Sequence, residues 1–183
     1  MPLAAAAQTA PASGSAPAER GEPSYKYQAY VGYGYTSINQ VDQSRNGLQG
    51  TDLSLTRDWG KYFGITAQGG YYKYPYDTTN PGDPSVTMVL LGPVLHAPLI
   101  GKSSVFVHAL FGGQHTGGES ITPDIAFAWG GGIGVEYRLT GRFSLRTFGD
   151  MIDTATAEDP DNLGYSPHRH ANAHATIGLV YQF

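Results

Sequence analysis

The chain has 183 residues, no cysteine, and a formal charge of −4 from 11 Lys and Arg against 15 Asp and Glu. One domain fits that length, disulfide and thiolate chemistry are excluded, and so mild a charge does not point to nucleic acid. Charged residues are only 14%, with 25 Gly and 13 Tyr, where soluble domains run near ~25% charged, and no apolar run approaches the ~18 residues of a membrane helix.

Met1–Glu22 is rich in Ala, Pro and Ser and without periodicity, which predicts a disordered N-terminal segment over 1–22 and one folded domain over 23–183. Ala4–Ala7 followed by Gln8 has the small residues that line a secretory cleavage site, although the basic start and apolar stretch of a full signal are missing. Tyr25–Thr36 alternates strictly: Tyr25, Tyr27, Ala29, Val31, Tyr33 and Tyr35 share one face, and Lys26, Gln28, Tyr30, Gly32, Gly34 and Thr36 the other. Side chains on a strand point alternately to its two faces, so this is a strand with aromatic residues at both ends of its apolar face. Ser37–Leu48 reads as a polar loop with Asn46-Gly47 as its turn signal.

A second strand sets Leu53, Leu55 and Trp59 against Asp52, Ser54, Thr56 and Asp58. After a turn at Gly60-Lys61 comes a third, with Phe63, Ile65, Ala67, Gly69 and Tyr71 against Thr66, Gln68, Gly70 and Tyr72. Pro75–Pro84 is a Pro-rich loop. Val86–Leu95 is apolar on both faces, and its register stays open. His96–Ser103 reads as a turn, Val105–Gly112 as a fifth strand with Phe106, His108 and Leu110 on its second face, and Gln114–Asp124 as a long loop. The sixth strand carries Phe127, Trp129, Ile133, Val135 and Tyr137 opposite Ala126, Ala128, Gly130, Gly132, Gly134, Glu136 and Arg138. The seventh, after Thr140-Gly141-Arg142, carries Phe143, Leu145, Thr147 and Met151 opposite Ser144, Arg146, Phe148, Asp150 and Ile152. Thr154–His170 is a last long loop, and Ala171–Phe183 a final strand whose apolar face ends at Tyr181 and Phe183.

Long and short connections alternate through eight segments. That pattern predicts an all-β fold: a single up-and-down antiparallel transmembrane β-barrel with short turns on one side and long loops on the other. A soluble ligand-binding barrel of lipocalin type has the same periodicity with the faces exchanged. Charge placement decides between them. Glu136, Arg138, Arg146 and Asp150 share the small-residue face, and the aromatic face would overfill a small lumen. The apolar face therefore points to lipid, and Tyr25, Tyr27, Tyr33, Tyr35, Trp59, Trp129 and Tyr137 are expected to form aromatic girdles at its two borders.

The odd-length turn Thr140-Gly141-Arg142 sets Leu139 opposite Phe143. It follows that Arg138 faces Ser144, Glu136 faces Arg146, Gly134 faces Phe148 and Gly132 faces Asp150. Glu136 and Arg146 become an ion pair inside the lumen, with Arg138 and Asp150 expected in the same polar network, because a narrow interior penalises an unpaired charge. Such pairs serve either a gate in a narrow conductance path or a filled interior that satisfies itself, and the structural reading is preferred. His168, His170 and His174 share parity, but in an extended chain the outer two stand about 20 Å apart, too far for one ion. Gly130, Gly131, Gly132 and Gly134 complete no phosphate-binding spacing and are expected to relieve crowding beside Phe148 and Tyr30. His115, Glu119 and Ser120 share one loop without forming a catalytic motif. No catalytic residue, metal site or cofactor is expected.

From about Tyr25 to Phe183 the chain resembles the outer-membrane β-barrel domain family, the small barrels like OmpA and OmpX. The matching features are the Tyr/Gly-alternating first strand, Gly92-Pro93 in the fourth, the Gly-rich sixth, Arg146 and Asp150 in the seventh, and the terminal Phe183. The resemblance implies a Gram-negative outer membrane, lipid surroundings, and a barrel-insertion machinery that recognises the last strand through Tyr181 and Phe183. The N-terminus is then expected in the periplasm and the long loops outside the cell, on a monomer that meets an extracellular partner through those loops or conducts small solutes through a narrow pore. No cell-wall-binding domain is expected after the barrel, and a cell-wall anchoring role is not expected.

Overall fold

The computed structural model describes residues 25–39, 45–73, 85–118, 121–155 and 169–183. They form eight strands: β1 (Tyr27–Asn39), β2 (Arg45–Trp59), β3 (Phe63–Lys73), β4 (Ser85–Pro98), β5 (Ser103–Gly118), β6 (Ile121–Arg138), β7 (Phe143–Ala155) and β8 (Arg169–Gln182). Each pairs antiparallel with its sequence neighbour, and β1 closes on β8 in a barrel of sequential order. Closure leaves no free strand edge to pair with another chain.

Alternation along each strand decides which face is which. Val31, Leu53, Leu55, Val89, Leu91, Ile133 and Ile177 stand exposed on the outside. Gln28, Asp52, Thr56, Gln68, Gln114 and Asn172 are buried inside. This is the inverse of a soluble ligand-binding barrel. In water the outer wall would be one apolar patch far beyond the few hundred Å2 that soluble monomers expose; against hydrocarbon it is matched. The open register of β4 resolves the same way: Val86, Met88, Leu90 and Val94 are buried in the lumen, while Val89, Leu91 and Leu95 face out.

The short connections lie at one rim. Gly60 and Gly101 take φ of 82° and 73° in two of them, a left-handed conformation that glycine adopts without Cβ strain. The ends of the barrel meet at that rim, where Tyr27 and Phe183 exchange backbone hydrogen bonds of 3.1 and 2.9 Å. At the opposite rim the strands run further than expected. Asn46 and Gly47 belong to β2, paired with Ile38 and Ser37, rather than to a turn. Gln114–Gly118 and Ile121–Asp124, expected in a loop, extend β5 and β6 and pair across a register shift at Thr116 and Gly118. At the short-turn rim, His96–Pro98 completes β4 instead of opening a turn. Polar, Gly-rich sequence marks a loop only where no neighbouring strand supplies ladder partners, and here one does. The β4–β5 ladder skips Gly92–Pro93, passing from Leu91↔Phe111 to Val94↔His108, since Pro93 has no N–H to donate. Met1–Glu22, Pro75–Pro84, His168, Glu119 and Ser120 lie outside the described residues, and His115 is part of β5.

Candidate functional site

Every ionisable side chain with a stake in the interior sits on a lumen-facing position of a strand, so the site is built by parity first and register second. The β6–β7 register is the one expected: Arg138↔Ser144, Glu136↔Arg146, Gly134↔Phe148 and Gly132↔Asp150. It delivers two separate polar tiers.

The tier near the short-turn rim centres on Arg146. Its Nε and Nη2 donate to Glu136 Oε2 at 3.0 and 2.5 Å, and Nη2 also donates to Gln28 Oε1. Gln28 Nε2 donates to Asp58 Oδ2 at 2.6 Å, and Gln182 Nε2 to Glu136 Oε1 at 3.1 Å. Asp58 in turn faces His96 Nε2 at 3.4 Å. Arg138 lies one lumen-facing position nearer the rim, half-buried and opposite Ser144.

Above this tier lies an aromatic layer. Phe148 packs against Tyr30 and Phe106 with ring centroids 5.5 and 5.9 Å apart, and Val94 and Val180 complete the cluster. The Arg146 guanidinium stands over the Phe106 ring at 4.9 Å, a cation–π contact that caps the tier. Gly134 lies between Phe106 and Phe148, and a side chain there would collide with the Phe106 ring and with Phe148 Cβ. Tyr30, by contrast, lies over Gly32 of its own strand rather than over the β6 glycines, while its hydroxyl is 2.8 Å from Thr176 Oγ1.

Asp150 belongs to the second tier. It does not reach the Arg146 group; its Oδ1 meets His108 Nε2 at 2.7 Å and its Oδ2 meets His174 Nδ1 at 3.1 Å. His174 Nε2 lies 3.2 Å from Asp52 Oδ2 and 2.9 Å from the Tyr72 hydroxyl, and that hydroxyl donates to Asp52 Oδ1. The result is a continuous chain, His108–Asp150–His174–Asp52–Tyr72, drawn from β5, β7, β8, β2 and β3. His174 thus stands between two buried carboxylates, with a different ring nitrogen within hydrogen-bonding distance of each. Two glycines make the chain possible. Gly132 separates His108 from Asp150 in one transverse row, and Asp150 Oδ1 fills the space its Cβ would need. Gly34 does the same beneath Asp52 and His174.

A third layer, near the long-connection rim, is apolar: Leu48, Tyr72, Val86, Met88, Leu90, Leu110, Ala128 and Ile152. Donors and acceptors in the second tier are already matched to one another. Among the described residues no group of three or more His, Cys, Asp or Glu is arranged to hold a metal ion.

Apart from Tyr25, the residues expected in the girdles stand exposed on the outer wall. Tyr27, Trp59 and Tyr137 lie toward the short-turn rim, and Tyr33, Tyr35 and Trp129 further along their strands toward the other. Tyr25 precedes β1, with its ring 6.0 Å from the Arg142 guanidinium. Tyr181 and Phe183 are stacked at 5.9 Å on the outer face of the closing strand.

A family profile described as outer membrane protein beta-barrel domain matches residues 3–183. No curated protein matches the chain in sequence. Among solved structures it is similar to neisserial surface protein A, with a TM-score of 0.67 and 8% identity over 86% of this chain and 97% of that one. It is similar to Ail, the attachment invasion locus protein of Yersinia pestis, with a TM-score of 0.60 and 13% identity over 87% and 99%. For OprG of Pseudomonas aeruginosa the TM-score is 0.57 and the identity 11%, over 87% and 96%. At these identities the likeness is one of fold.

Proposed function

The chain belongs to the outer membrane protein beta-barrel domain family, and from that premise we propose a barrel closed inside by its own side chains, whose working surface is the rim that bears the long connections. Its place is the bacterial outer membrane. In this reading the short turns and the N-terminus face the periplasm and the long connections the exterior, the arrangement usual for such barrels. Tyr181 and Phe183 on the closing strand serve as the insertion signal, and the barrel works as a monomer.

The observation that carries the reading is the filled lumen. Tyr72, Leu48, Leu90 and Leu110 are fully buried in one layer, and Tyr30, Phe106 and Phe148 pack across another. Between the layers, hydrogen bonds join side chains from non-adjacent strands across the lumen, so a solute would have to break an apolar layer and an ion-paired one in turn. What remains available for recognition is the exterior rim. Ail, which shares the fold, is described in complex with the heparin analogue sucrose octasulfate; for the present chain an extracellular ligand of some kind is the corresponding proposal.

Planar-bilayer recording of the refolded barrel tests this. The expected result is a silent membrane in 1 M salt, and steady single-channel steps would overturn the closed lumen in favour of a narrow pore.

A further inference from the structure

At the short-turn rim the outer wall carries an aromatic ladder that crosses the seam where the barrel closes. Phe143 meets Tyr181 at 5.2 Å between centroids, Tyr181 meets Phe183 at 5.9 Å, and Phe183 stacks on Tyr27 at 5.7 Å. On the far side of β1, Trp59 stacks on Phe63 at 6.0 Å. Two arginines are set into this ladder. The Arg57 guanidinium lies 5.8 Å from the Tyr27 ring and 5.1 Å from that of Trp59. Arg142 lies 6.0 Å from the Tyr25 ring, and its Nη1 donates to the Tyr181 hydroxyl at 3.2 Å. Tyr25 and Tyr27 belong to one stretch of chain, two residues apart, so both guanidiniums rest on aromatic rings at the same rim of the seam.

Neither arginine has an acidic partner among the described residues. The ion pairs of this end of the barrel are internal, with Asp58 turned to Gln28 and His96 and Glu136 to Arg146 and Gln182. Lys26 and Lys61 add exposed positive charge on the same side. Arginines that rest on aromatic faces keep most of their N–H donors unspent, and the guanidinium fork matches the paired oxygens of a phosphate. The place matters as much as the charge. Tyr and Trp at the border of an apolar band lie at headgroup depth, where the available anion is a lipid phosphate.

We propose that Arg57 and Arg142, held in the aromatic ladder across the β8–β1–β2 seam, form a binding site for the headgroup of an anionic phospholipid. The site orders lipid against the seam that closes the barrel, with the chains along the Tyr27–Trp59 wall and the headgroup phosphate at the guanidiniums.

The test uses Trp59 as the reporter, since the chain has 2 Trp and Trp129→Phe leaves this one alone. The protein is refolded into equimolar vesicles of phosphatidylglycerol and phosphatidylcholine, with bromine on the chains of one lipid and then of the other. Quenching of Trp59 should show phosphatidylglycerol favoured about fivefold over phosphatidylcholine at this position, the scale of one cation at an anionic surface. The double variant R57Q/R142Q should lower the ratio at least about twofold, with Lys26 and Lys61 accounting for what remains, and R57K/R142K should keep a larger share of the preference. A ratio of one in the parent protein, or a preference undiminished in R57Q/R142Q, would overturn the site. Heat-modifiable gel mobility reports whether each variant has folded. Should R57Q/R142Q fail to insert, the parent protein in 1 M salt decides, because a preference that survives screening is not electrostatic. The vesicles are symmetric, so the result is independent of which rim faces the periplasm and of whether the lumen conducts.

Discussion

The two polar tiers of the lumen use the same kinds of group in different ways. The Arg146–Glu136 pair joins directly facing residues of adjacent strands, and two glutamines and the nearby rim share its load. The His174 chain also begins with a facing pair, Asp150 and His174, but then steps over Gly34 to Asp52 and over Gly132 to His108. It lies deeper, with Asp52 entirely buried and His174 at 3% exposure. The first tier is centred on a salt bridge between neighbouring strands, which Gln28 of β1 joins on closure, whereas the second is a tie through five strands that is completed only when the barrel has closed. In a medium of low polarity the cost of losing a partner rises with the number of charges left behind, so the tiers should respond unequally to mutation.

The largest effect is expected from His174→Leu. It leaves Asp52 and Asp150 buried without the imidazole that links them, and urea unfolding in vesicles should show a loss of about 3–5 kcal/mol. Adding Asp52→Asn and Asp150→Asn to that variant should restore most of the stability. Failure to recover would mean that shape, not charge, holds the tier.

Arg146→Met comes next, at about 2 kcal/mol by the same unfolding measurement, because Glu136 keeps the Gln182 amide and lies near the rim. A loss equal to that of His174→Leu would erase the distinction between the tiers. The smallest change in stability should follow from replacing residues 74–84 with Asn-Gly. Lys73 and Ser85 are direct partners at the end of the β3–β4 ladder, so a two-residue turn fits. The shorter closure should shift stability by no more than about 1.5 kcal/mol, in the favourable direction. If the long connections are the contact surface, this variant should retain its heat-modifiable membrane band and lose surface binding; unaltered binding would remove this connection from the contact surface.

Much of this was legible in the residues themselves. The strict alternation of Tyr25–Thr36 and Ala171–Phe183 assigned inner and outer faces, and the turn at Thr140–Arg142 set a register in which Glu136 meets Arg146. Those inferences rest on the pleat and on pairing between neighbours, which are local. Asp52, Tyr72, His108 and His174 were each readable as lumen-facing but not as partners. A hint lay in Gly132, opposite Asp150 in that register, since a glycine in a lumen row is where side chains from the strands on either side can meet. The apolar runs of β4 gave no face preference until closure placed Leu90 inside and Leu91 outside. The extended ends of β5 and β6 were hidden because Gly117 and Gly118 read as loop when no neighbour is considered.

By itself, then, the amino-acid order determined a membrane barrel of about eight strands, the side of the wall on which each residue stands, and one ion pair between adjacent strands. The height at which each strand sits relative to the strands across the lumen was decided by the tertiary structure alone. That height depends on the stagger accumulated through eight pairings and on the condition that β1 meet β8, a sum over the whole ring that no single segment contains. For that reason the tie among Asp52, His174, Asp150 and His108, and the aromatic ladder from Tyr181 through Phe183 to Tyr27, emerge only on closure.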